Sequence, residues 1–161
     1  MADRKLSHVD DRGNARMVDV SAKPVTLREA VAEGFILLQA DTVRAIAEGR
    51  VPKGEVLSVA RVAGIMAAKR CGELIPLCHP LPVESVELGF DLPAFAPGDR
   101  APQKVRIHAT ARVSGKTGVE MEALTAVTVA ALTVYDMCKA IDKTMVIGEV
   151  RLVKKTGGTK G

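Results

Sequence analysis

From Val25 onward, strand and helix signals follow in the order β, α, β, β, α, β. That order predicts an α+β fold, a ferredoxin-like split βαβ sandwich in which helices cover one face of an antiparallel sheet. Two further observations agree with it. The chain has 161 residues, 47% of them hydrophobic, enough for one buried core and one domain over 1–161. Neither an internal repeat nor a linker divides it. With three Phe, one Tyr and no Trp, that core must be built from Ala, Val, Leu, Ile and Met.

The elements follow in turn. Residues 1–13 and 157–161 are polar and glycine-marked, and are expected to be mobile ends. Residues 14–21 (NARMVDVS) read as a short extra strand. Residues 25–38 alternate at Val25, Leu27, Val31, Phe35 and Leu37, and Gly34 with the β-branched residues favours a strand over a helix. A small helix over 41–48 is closed by Gly49. Pro52-Lys53-Gly54 opens a longer helix, with Val56, Val59, Ala60, Ala63, Met66 and Ala67 on one face, running to about Arg70. Three prolines in Pro76–Pro82 then impose an extended loop. Strands over 83–92 and 104–113 flank the proline-rich connection PAFAPGDRAPQ, the natural place for a loop of variable length. A long helix over 123–141 and a final alternating strand over 145–153 complete the order.

Composition excludes several classes. A net charge of +4 at 26% charged residues is ordinary for a globular chain, not a disordered one. No uncharged apolar run approaches the roughly 20 residues of a membrane span, and the first residues lack the apolar core of a signal peptide. Cys71, Cys78 and Cys138 are an odd count with no CxxC pair, the pattern of reduced thiols in a cytoplasm. The basic residues are scattered and only four aromatics are present, so no nucleic-acid partner is expected. A small anionic ligand makes better use of the charge.

Three segments carry candidate chemistry. ALTAVTVAALTVY is 13 residues without a charge, apolar all round, and therefore a helix buried against its own sheet and against another subunit. At its end stand Asp136 and Lys139, on one face three residues apart. Taken alone they fit an i,i+3 salt bridge favoured by the helix dipole as well as they fit a catalytic pair. In LCHP, Cys78 and His79 are adjacent in extended chain and point opposite ways, a poor nucleophilic dyad. A metal needs more ligands than His8 and His108 supply. The plain reading is a loop histidine beside a small buried cysteine, though a proline-stiffened loop orients its groups well. In GVEME, the acidic residues serve the helix dipole, or Glu122 and neighbouring amides hydrogen-bond a polar ring such as a guanine edge. No phosphate-binding glycine loop occurs, so side-chain cations must hold any phosphate.

LIPLCHPL, GVEMEALTAV, LTVYDMCKAIDK and the closing VRLVKKTGG together resemble the cyclic pyranopterin monophosphate synthase family of molybdenum-cofactor biosynthesis. ARVAGIMAAKR and MVDVSAK add to the likeness, which runs from about Leu6 to the C-terminus and is weakest over 94–102. The resemblance implies a lyase that converts 3′,8-cyclo-7,8-dihydroguanosine 5′-triphosphate to cyclic pyranopterin monophosphate and releases pyrophosphate. It implies a ferredoxin-like fold assembled as a homohexamer of dimers, with active sites at subunit interfaces. It implies Asp136 and Lys139 as the catalytic pair, and Leu77, Cys78, His79, Met121 and Glu122 as substrate contacts. By the same likeness Lys53 and Lys155 face the triphosphate, with Arg28 and Lys23 as further cations of that kind. No resident cofactor is required, no protein metal site is implied, and Mg²⁺ can accompany the triphosphate. Two other readings use the same fold: a non-catalytic nucleotide-binding module and a structural oligomerisation domain.

Overall fold

The structure is a computed structural model, and it describes residues 7–158. Of the two ends expected to be mobile, residues 1–6 and 159–161 lie outside the described residues. The elements are β1 (Thr26–Leu38), α1 (Ala40–Ala47), α2 (Val56–Lys69), α3 (Cys71–Leu74), β2 (Ser85–Asp91), β3 (Gln103–Gly115), α4 (Glu120–Cys138) and β4 (Val146–Thr156). The sheet runs β2-β3-β1-β4, with every neighbouring pair antiparallel. Helices α2 and α4 pack on each other and on one face of it. This is the ferredoxin-like α+β sandwich.

Small residues make the sandwich thin. The face of β1 that meets the helices carries Ala30, Ala32, Gly34, Ile36 and Leu38, all buried. Ala30 and Ala32 register opposite Ala111 and Ala109 of β3, so a flat strip of methyl groups receives α4. From its side α4 offers Ala123, Ala126, Val127 and Ala130, each fully buried. The helix pair is equally close: a Cβ at Gly64 would stand 2.8 Å from the Ala126 carbonyl oxygen. Leu27 and Val25, part of the alternation that marked this strand, are on the opposite side or beyond its end and are exposed. The buried set is therefore the inconspicuous one, because close helix approach demands small side chains more than large ones.

The outward face of the sheet is ionic instead. Arg112 bridges Glu29 at 2.6 Å and Glu87 at 2.7 Å, and Arg151 reaches Glu33 at 2.6 Å. Cross-strand ion pairs of this kind suit a solvated sheet surface.

The short helix α3 was not expected, β4 runs to Thr156, three residues past its expected end, and two further differences bear on the site. Residues 14–21 form no strand, only an isolated bridge between Val9 and Ala15. The sheet edges are β2 and β4, and this segment instead crosses to the 75–82 loop, where the Val18 carbonyl accepts from His79. Helix α4 starts and stops three residues earlier than the apolar pattern suggested, leaving residues 139–145 as a turn. At 19 residues, α4 has the length and composition to cross a membrane, but half of it is buried in this fold, where it acts as the core helix.

The early stop of α4 frees Asp142 for a long-range contact. Its carboxylate accepts from the Gln39 amide at 2.8 Å and the Thr42 hydroxyl at 3.1 Å, which caps α1 from outside that helix. It also accepts from the Thr144 amide and hydroxyl at 2.9 and 3.0 Å. Burial pushes this carboxyl up, but the four hydrogen bonds outweigh it and hold it below its ordinary 3.8. Its contribution is therefore complete above that ordinary value and is lost as pH falls through the lower folded one. Asp142→Ala is expected to destabilise the chain by about 3 kcal/mol at neutral pH, since a buried charge-assisted cap is lost and the Gln39 amide is stranded. In urea melts the gap from wild type should be widest near neutrality and close below pH 3.8. A gap that stayed constant into acid would show that the charge of Asp142 is not what stabilises α1.

Candidate functional site

Candidate residues gather at the two ends of α4. At its N-terminal end lies a cleft of about 500 Å³ between the 75–82 loop, the β3–α4 turn and the segment around Val18. Leu77, Cys78, His79, Met121 and Glu122 all line it, together with Lys23. The structure thus brings the LCH and ME segments to one place, although they are 40-odd residues apart in the chain.

The proline loop sets the geometry here. His79 donates from Nε2 to the Val18 carbonyl at 2.7 Å, which fixes the orientation of the ring. Among the described residues it makes no hydrogen bond to Cys78. Burial pushes the Cys78 thiol up, with Glu122 and Glu120 adding to the shift, so it stays a thiol. Burial pushes Cys71 and Cys138 up to about 11 as well. None of the three is an activated nucleophile.

Glu122 is 3% exposed. Burial pushes its carboxyl up, its own backbone amide pulls it back, and Glu120 pushes it up further. Among the described residues no cationic side chain pairs with it. A buried carboxyl with no cationic partner among the described residues, on the wall of a cleft, can recognise a ligand N–H group.

A second hollow of about 310 Å³ continues from the first and shares Lys23, Thr117, Gly118 and Glu120 with it. Arg28, Lys155 and Gly157 complete its wall. Three of the four expected phosphate cations, Lys23, Arg28 and Lys155, therefore stand together. Lys155 is ion-paired with Glu120. Arg28 leans on Gly158 and donates weakly to the Gly115 carbonyl at 3.4 Å.

Lys53, the fourth, lies elsewhere. It sits at the C-terminal end of α4, where its Nζ is 2.9 Å from Asp136 Oδ2 and 3.0 Å from the Asp136 carbonyl oxygen. Lys139 Nζ is 2.7 Å from the other carboxylate oxygen. One carboxylate thus holds two ammonium groups. Hydrogen bonds from Lys139 and then Lys53 pull Asp136 down to about 2, while its slight burial opposes them. The same pairing raises Lys139. The competition between lysine and burial is decided for the lysines, since all three side chains are about half exposed. Met121 and Asp136 are 15 residues apart on one helix, so the two clusters are about 22 Å apart within the chain.

Glu120 and Asp142 emerged only from the fold. Glu120 stands in the same GVEME run that marked Glu122, where its acidity read as dipole compensation. Asp142 has no local signal, since its main partner is 103 residues away. Among the described residues, no three His, Cys, Asp or Glu side chains gather as a metal ion needs.

A small α+β domain whose cleft runs into a basin of three cations belongs to the class that can receive a compact anionic ligand. The family model of the MoaC family matches residues 17–158, and the chain belongs to that family. A cyclic pyranopterin monophosphate synthase of Heliobacterium modesticaldum is 58% identical over 97% of this chain and 94% of its own length. The synthase of Roseiflexus castenholzii is 58% identical over 97% and 95%. That of Parvibaculum lavamentivorans is 54% identical over 100% and 97%.

Proposed function

We propose that the chain is a lyase of molybdenum-cofactor biosynthesis that converts 3′,8-cyclo-7,8-dihydroguanosine 5′-triphosphate to cyclic pyranopterin monophosphate and pyrophosphate. The observation that carries this is the continuity of the Glu122 cleft with the Lys23–Arg28–Lys155 basin, in a chain 54–58% identical to the synthases just named. The cleft suits the guanine-derived ring, with Glu122 toward its N–H edge and the His79 ring held in place by its bond to Val18. The basin suits the triphosphate.

Making the cyclic phosphate requires an oxygen of the substrate to attack the innermost phosphorus while pyrophosphate leaves. Charge builds on the leaving oxygens, and cations held in place stabilise it. Ring rearrangement needs proton transfers, which positioned acids and bases speed by about 10²–10⁴-fold. Asp136, at a pKa of about 2, is an anion at neutral pH and a weak base. It serves by presenting Lys53 and Lys139, whose ammonium groups supply the proton and the positive charge. No oxidation state changes overall, so the reaction requires no resident cofactor, and Mg²⁺ can accompany the triphosphate.

An Asp136 cluster about 22 Å from the cleft can act on its substrate only from another subunit. Exposed apolar side chains support such assembly: Val59, Val62 and Met66 on α2, and Leu132 and Tyr135 on α4. Surfaces of this kind are covered in stable oligomers. The assembly we propose is a homohexamer built as a trimer of dimers, in the cytoplasm, with each site shared between protomers.

The decisive test is turnover. The purified protein is incubated with the cyclised dihydro-GTP, and pyrophosphate and the oxidised, fluorescent pterin are followed together. Both products are expected in equal amounts. Stoichiometric binding with neither product would make the chain a non-catalytic nucleotide-binding module.

A further inference from the structure

Glu120 sits where a phosphate-binding site should have no negative charge. It is the first residue of α4 and lines both hollows, standing on the boundary between the ring cleft and the cationic basin. Its side chain folds back over Gly118, where a Cβ would collide with the carboxylate, so only glycine at that position allows this pose. In that pose one carboxylate oxygen is paired with Lys155 Nζ. Lys155 is about two-fifths exposed and Glu120 about one-quarter, so the pair is open to the basin rather than sealed in the core. The other two cations of the basin, Lys23 and Arg28, make no ion pair among the described residues.

We propose that Glu120 is a built-in competitor for Lys155: it holds the lysine while the basin is empty, yields it to the phosphates, and takes it back so that pyrophosphate leaves. The inference rests on the reading of the basin as the triphosphate site. Its logic is electrostatic. A ligand that recruits Lys155 must break the Glu120 pair and accept a carboxylate beside its own negative charge. Both effects weaken binding, and the second bears on free pyrophosphate without help from a ring in the cleft. A partly exposed ion pair is modest in strength, worth at most about a fivefold change in an equilibrium constant. Removing the pair together with the carboxylate charge beside the anion should therefore tighten anion binding by about threefold to fivefold, not by orders of magnitude.

Inorganic pyrophosphate is the probe, titrated calorimetrically into the full-length assembled protein at fixed ionic strength. Glu120→Gln is expected to tighten pyrophosphate binding about threefold to fivefold and to deepen product inhibition of turnover by a similar factor. Glu120→Asp, too short to reach Lys155 but still charged, should fall between Gln and wild type. Lys155→Ala should weaken binding and shrink the effect of a second Glu120→Gln change. If Glu120→Gln leaves binding unchanged or weakens it while Lys155→Ala still weakens it, the competitor role is overturned and the basin assignment stands. If Lys155→Ala and Glu120→Gln both leave pyrophosphate binding unchanged, or no variant binds, the basin assignment falls too.

Discussion

Asp136→Asn is expected to lower kcat by about 10²–10³-fold, the loss typical when a preorganised charge cluster is dismantled, with KM and melting temperature nearly unchanged. Asp136 is exposed and anchors nothing in the core, so the fold does not depend on it. What it does hold is two ammonium groups, at 2.9 and 2.7 Å. Asparagine offers one acceptor oxygen and no charge, so at most one lysine stays in place and the two ammoniums repel. Loss of the carboxylate also removes the hydrogen bond that raises Lys139. The lysine pKa then falls, and the alkaline limb of the residual activity should move to lower pH. The acid limb of wild-type activity should not report Asp136, because its pKa of about 2 lies below the usual working range. A variant that kept wild-type kcat would remove Asp136 from the mechanism. An unmoved alkaline limb would show that Lys139 is not the proton donor.

The contrast between what the chain announced and what it concealed follows sequence distance. Strand and helix periods are local, so β1, α2, β3 and α4 were legible to within a few residues. The uncharged run in α4 announced burial, and α4 is indeed the core helix. The ladder between β1 and β3 could be inferred from order alone. Three features were not legible, because each depends on a partner far away. The segment 14–21 has strand-like residues but pairs with neither sheet edge, and its Val18 carbonyl accepts from His79, 61 residues on. Lys53, just ahead of α2, stands without any local sign of a partner, and its ammonium group meets Asp136, 83 residues away. Apolarity alone would carry α4 to Ile141, whereas the helix ends at Cys138 and Asp142 in the following turn reaches α1, 103 residues back. Among the site residues, LCH and ME met in one cleft because a rigid loop and a helix start face each other there. Nothing in their spacing required it.

The separation of the two clusters yields the second large effect. Asp136→Asn abolishes the function of one half-site, and Glu122→Gln, by blunting ring recognition, abolishes the other. Each variant alone is expected to be nearly inactive. Unfolded together and refolded as a mixture, they should regain about a quarter of wild-type activity. The reasoning is combinatorial. In a two-fold interface each protomer lends the same patch to the other, so a mixed pair contains one doubly altered site and one intact site. Half of randomly formed pairs are mixed, and half of their sites are intact. A site contained in one chain allows no such rescue, since every protomer carries one of the two changes. The distance argues against that arrangement, because α4 is a straight, packed helix and cannot bring its ends together. Refolding each variant alone gives the baseline, and mixing the folded proteins without unfolding gives the exchange control. Activity at baseline after co-refolding, with assembly intact by light scattering, would place the whole site within one protomer and require Asp136 to act elsewhere than on the ligand in the Glu122 cleft.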